Sequence, residues 1–144
     1  MESHVPEIAG VIQLAVAPVF MLTAVGAILA ALGSRLGRAV DRRRVLEERL
    51  TRMPAAERSS AEQELATIAR RIRFVYLSIL FAVVSGLFIC LLIVGAFLGA
   101  FVRADLSYTI GAMFIFAMLA LIACLLLFLR EIFVAVSAPR HIPR

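Results

Sequence analysis

The chain has 144 residues, 62% of them apolar, and a mean hydropathy of +0.99. A soluble domain of this size buries only about two-thirds of the surface it could expose and carries about 45–50% apolar residues, so water cannot be the solvent for most of this chain. Fifteen basic residues, all Arg, face ten acids for a formal net charge of +5, and the lack of Lys excludes Schiff-base chemistry.

In chain order, residues 8–32, 74–102 and 108–129 form three runs without any Asp, Glu, Lys, Arg or His. A hydrocarbon core of about 30 Å needs roughly 20 helical residues, so each run is long enough to cross once, the second with tilt or overhang. The leader before the first run carries Glu2 and Glu7 and no basic residue, the reverse of a secretory signal. The positive charge follows the run instead, which predicts a retained anchor. Residues 33–73 hold eleven of the fifteen Arg, the turn after the second run holds Arg103 beside Asp105, and Arg130, Arg140 and Arg144 follow the third run. Positive loops stay cytoplasmic, so the N-terminus is expected outside and the C-terminus inside.

The 41 residues of 33–73 are charged yet periodic. Leu36, Ala39, Arg43, Leu46, Leu50 and Met53 recur at spacings of three and four, and so do Ala61, Leu65, Ile68, Ile72 and Val75. Pro54 separates the two series and fits the first turn of the second helix, unless Ser59 or Ser60 caps it. With no stop signal at the membrane ends, each arm is expected to be continuous with its span. The predicted fold is an all-α membrane protein, with three transmembrane helices and a cytoplasmic, coiled-coil-like helical hairpin between the first two. Its single membrane domain fills 1–144 and ends in a cytoplasmic tail at 130–144. The arms either zip to each other alone or also meet neighbouring subunits or a soluble partner.

Arg43, Arg70, Arg71 and Arg73 are expected to contact anionic lipid headgroups, where each basic residue is worth about 1 kcal/mol. The arms also carry six acids and no aromatic platform, which excludes a nucleic-acid interface. His4 and His141 lie in terminal tails, and no Cys/His/Asp/Glu spacing suits a metal. Cys90 and Cys124 read as small apolar packing residues. Intramembrane chemistry normally needs an ionisable group at depth, and the 76 positions of the three runs have none, so neither an enzyme nor a cofactor site is expected.

Polar but uncharged residues remain within the runs. Gln13 needs a protein or water partner in lipid, either as interhelical glue or as a pore lining with Thr23. Pro18 frees a backbone carbonyl on the same helix. Gly10, Ala17, Ala24 and Ala31 recur every seven residues, and Gly95 and Gly99 form a GxxxG, which marks packing faces and a homo-oligomer.

The segments Ile12-Gln13-Leu14, Ala17-Pro18-Val19, Ser34-Arg35-Leu36-Gly37-Arg38, Asp41-Arg42 and Leu129-Arg130-Glu131 together resemble a family of small bacterial integral membrane proteins, the domain-of-unknown-function 2721 family. The resemblance covers residues 7–135, with Ser34 standing where members tend to have Asn. It implies a bacterial inner-membrane protein with three helices, and it implies no activity. Its landmarks focus attention on an ion-pair network at the inner boundary. Asp41 lies three residues from both Arg38 and Arg44, beside Arg42, and Glu131 is placed to accept from Arg35 or Arg38. The reading that follows is a non-enzymatic oligomeric scaffold that docks partners through its hairpin. A small oligomeric channel lined by the first helix is the second reading, and an accessory or sensory subunit of a larger membrane complex the third.

Overall fold

A computed structural model describes residues 4–102 and 105–137; Glu2, Arg103, Arg140, His141 and Arg144 lie outside the described residues. The described residues form three helices, α1 (His4–Leu50), α2 (Ala55–Val102) and α3 (Ser107–Ser137), and no strand. All three are long and apolar enough to cross a membrane, the make-up of a multi-pass membrane protein.

Neither α1 nor α2 breaks where its apolar run gives way to charge. The cause is local: Leu, Ala and Arg are frequent at the α1 junction and Arg and Leu with Ile at the α2 junction, no Pro falls at either, and the isolated Gly33 and Gly37 cost too little to break a long helix. Pro18 sits inside α1 at a buried position without ending the helix. Where the chain does turn, the punctuation is explicit. α1 stops at Leu50 with Arg49 in its last turn, next to the negative end of the helix dipole. The Pro54 carbonyl accepts the Glu57 N–H at 3.1 Å, so Pro54 precedes the first residue of α2 rather than occupying its first turn. Glu57 then lies at the positive end of α2. Asp105 accepts the Ser107 backbone N–H at 3.2 Å as α3 begins. Hydrogen bonds from the Ser107 side chain and backbone hold the Asp105 carboxyl below the usual range.

α3 also extends further than the apolar run implies. Residues 130–137, expected as tail, are helical, which places Glu131 on a rigid helix face.

The chain divides into two compact units, one of residues up to Leu29 with Phe81–Ala123, the other of Ala30–Leu80 with the chain from Cys124 on. In the first, Pro18 and Val25 of α1, Ala82, Ser85, Gly86, Ile89 and Leu92 of α2, and Ala117 and Ala120 of α3 are buried. The Ser85 hydroxyl donates to the Ala117 carbonyl at 2.8 Å, a bond between α2 and α3 in an environment without water to compete for it. Phe88 and Phe116 stack with centroids 5.9 Å apart. In the second unit, Leu32 of α1, Ala61, Ile68, Val75 and Ser78 of α2, and Cys124 and Glu131 of α3 are buried.

Along α2 the buried set Ala61, Ile68, Val75, Ala82 and Ile89 keeps a strict seven-residue step, interleaved by Ser78, Ser85 and Leu92. Ala117, Cys124 and Glu131 keep the same step on α3. Adjacent positions 82 and 83 test this phase directly. Ala82 has no exposure and Val83 is half exposed. Ala82→Leu should lower the unfolding free energy in detergent by about 1–3 kcal/mol through overpacking. Val83→Leu should stay within about 0.5 kcal/mol, as surface changes do. Equal effects would reject the register.

Candidate functional site

The described residues hold one buried charged side chain, Glu131, with 2% exposure. Three helices converge on it. From α1, Arg35 Nη1 donates to Glu131 Oε2 at 3.2 Å. From α2, Arg71 donates through Nη2 at 3.0 Å and Nε at 3.3 Å, both to Oε1. Both carboxylate oxygens are therefore occupied by charge-assisted bonds, the condition under which burying a carboxylate becomes tolerable. The two guanidinium groups stay partly open, with 39% and 31% side-chain exposure. Arg35 also lies over the Phe128 ring at 4.9 Å, one turn before Glu131 on α3, which fixes the plane of its fork. Arg130 lies over Phe74 at 5.3 Å.

The other residues singled out from the sequence are dispersed around this triad. Arg38 donates to the Ser34 hydroxyl at 3.1 Å instead of Glu131. Arg42 pairs with Glu64 at 2.7 Å, linking α1 to α2 through exposed groups. Arg43, although at a three-four spacing, is exposed and pairs with Glu47 one turn along its own helix at 2.7 Å. Asp41 and Arg44 are exposed and form no ion pair among the described residues. Arg70 and Arg73 are exposed as well, whereas Arg71, placed with them as a headgroup contact, is the second partner of Glu131. Its signal was present in the register: Arg71 stands seven residues before Ser78 and fourteen before Ser85, both fully buried.

Within the apolar part of α1, Gln13 and Thr23 are exposed, and Pro18 is not on their face. The Thr23 hydroxyl bonds back to the Val19 carbonyl at 3.2 Å. Ala17, Ala24 and Ala31 are exposed, and the chain buries the positions one residue further on, Pro18, Val25 and Leu32; Gly10 is half-buried. A Cβ on Gly95 would meet Ile110 at 3.8 Å, an ordinary contact, so the GxxxG does not mark a crossing that requires glycine; Gly99 is half-buried. Among the described residues no three His, Cys, Asp or Glu cluster as a metal site, and Cys90 and Cys124 are free thiols.

A family model described as "Protein of unknown function (DUF2721)" matches residues 15–141, and the chain belongs to this family. No curated protein and no solved structure matches it.

The geometry sets a stability ranking. Glu131→Gln keeps the shape but removes the charge that meets two guanidinium groups, and should cost about 1–3 kcal/mol in detergent unfolding. Glu64→Gln, in an exposed pair, should cost no more than about 1 kcal/mol. A Glu131→Gln protein as stable as the wild type would show that the triad holds nothing together.

Proposed function

We propose that this member of the DUF2721 family is a non-enzymatic, oligomeric scaffold of the bacterial inner membrane that docks partners through its helical arms. The observation that carries this reading is the tie between Glu131 of α3 and Arg35 of α1 and Arg71 of α2, the residues at the base of the two arms. A hairpin fastened at its base presents a fixed surface, and the arm surface is dominated by exposed charge such as Asp41, Arg44, Glu48 and Glu62. The seven-residue burial of Ala61, Ile68 and Val75 supports a coiled-coil-like closure of the arms. Eleven Arg in 33–73 favour a cytoplasmic hairpin, an outside N-terminus and a cytoplasmic C-terminus. Among the described residues the one buried carboxylate, Glu131, has both oxygens engaged in ion pairs, which favours a structural over a catalytic task for it.

Oligomerisation draws on a contrast between outer faces. α2 and α3 present large side chains such as Leu80, Leu87, Val94, Phe116 and Leu126, suited to lipid. The exposed residues of α1 also include large ones, Ile12, Val16, Val19 and Phe20, but beside them stand Gln13, Ala17, Thr23, Ala24, Gly26, Ala27 and Ala30, small and polar residues of the kind that helices use against one another in lipid. The exposure of Gln13 and Thr23 also favours a second reading, a channel formed by α1 helices of several subunits.

Native mass and ion flux separate the two. The scaffold reading expects an assembly larger than one chain and liposomes no leakier than protein-free ones. A monomer would remove both the oligomer and the channel. A conducting assembly whose flux changes in Gln13→Leu would replace the scaffold with a pore.

A further inference from the structure

The structure assigns a second task to the triad: Arg35 and Arg71 together hold the phosphate of a membrane phospholipid. This rests on the reading of residues 33–73 as a cytoplasmic hairpin whose base, at Arg35 and Arg71, lies at the membrane boundary, and it names the partner of that boundary. Charge is the first argument. Two guanidinium groups meet one carboxylate, which leaves one positive charge in excess, and the exposures set its direction. Glu131 is almost wholly enclosed, whereas Arg35 and Arg71 each keep about a third of their side chain open.

Donor capacity is the second argument. A guanidinium carries five N–H groups. Arg35 gives Glu131 a bond from one nitrogen, and Arg71 gives bonds from two, so each fork keeps N–H groups that Glu131 does not take. The two Arg bind different oxygens of one carboxylate, so both guanidinium groups are anchored at Glu131, and Phe128 lies under that of Arg35. A phosphate bridging them would find oriented donors already in place, the arrangement in which Arg outperforms Lys.

Depth is the third. Arg35 follows the first charge-free run by three residues, and Arg71 precedes the second by three. Both lie within one helical turn of the apolar segments, at the level of headgroup phosphates rather than bulk water. Other basic residues of the arms are spent differently: Arg42 and Arg43 are paired with Glu64 and Glu47.

The test uses the full chain in detergent, with phosphatidylglycerol, diacylglycerol and inorganic phosphate titrated separately and binding read by native mass spectrometry. Saturable retention of phosphatidylglycerol is expected, with no retention of diacylglycerol and none of inorganic phosphate at equal concentration. Arg71→Gln should weaken phosphatidylglycerol binding about fivefold, the factor one basic residue is worth at a charged lipid surface. Arg52→Gln, at the far end of the arms, should leave it unchanged. Glu131→Gln should strengthen it, because the amide oxygen still accepts from the forks while the negative charge that competes with phosphate is gone, and this variant decides the matter if Arg71→Gln does not fold. Wild-type affinity in Arg71→Gln, an equal loss in Arg52→Gln, no gain in Glu131→Gln, or inorganic phosphate held as well as the lipid would each overturn the assignment. The scaffold reading is judged separately, on subunit number and flux, which lipid titration does not measure.

Discussion

A carboxylate removed from water loses several kcal/mol of hydration unless cations and hydrogen-bond donors replace it, and Glu131 is removed almost completely. That requirement organises the unit of Ala30–Leu80 and the chain from Cys124 on. It fixes the rotation of α3 so that Glu131 points inward, and it brings one Arg from each of α1 and α2 to the same point. Apolar packing alone leaves the faces of such helices nearly interchangeable, since one Leu or Ala substitutes readily for another. An ion pair with two oxygens and two forks tolerates few rotations. The triad thus supplies specificity in a segment where Ala61, Ile68 and Val75 supply contact area.

The remaining polar groups inside follow the same economy of partners. The Ser85 hydroxyl is spent on the Ala117 carbonyl and the Ser78 hydroxyl on the Phe74 carbonyl, so each buried donor is used. No buried side-chain polar atom among the described residues lacks a partner. Small residues at seven-residue steps, Ala61, Ala82 and Ala117 among them, leave room for the larger Ile89, Val25 and Leu32 within their own units.

Much of this was readable from the residues, because lipid as solvent makes the signals strong. Three charge-free runs and the Pro54 break correspond to the three helices and the single interruption between the first two. Glu131 stood out as an acid close behind an apolar run, and Arg35 as a partner within reach. Pairings across helices were less legible, since periodicity gives the face of each helix but not its rotation against the next. Apart from the register with Ser78 and Ser85, the pairing of Arg71 with Glu131 therefore had no signal that set it apart from Arg70 and Arg73, and Arg43 stands at a seam spacing although its charge is better served in water beside Glu47. In the apolar part of α1, side-chain size misled in the same way: Ala17 and Ala24 invite packing, but the chain buries the bulkier Pro18 and Val25 next to them. The α3 extension lies beyond the charge-free run because Arg130 and Glu131 interrupt the run without ending the helix, and residues 130–137 carry no Gly or Pro.

A carboxylate at the meeting point of all three helices also gives the proposed scaffold its fixed base and the proposed lipid site its pair of forks. The account consequently depends on whether Glu131 and Arg71 act as one unit rather than as two separately favourable side chains. A double-mutant cycle on unfolding in detergent, with Glu131→Gln, Arg71→Gln and the double variant, measures this without reference to function. Coupling of about 1–3 kcal/mol is the predicted result, in the range for contacting residues of one hydrogen-bonded network. Strictly additive losses, or none, would mean that the buried carboxylate does not hold the three helices together.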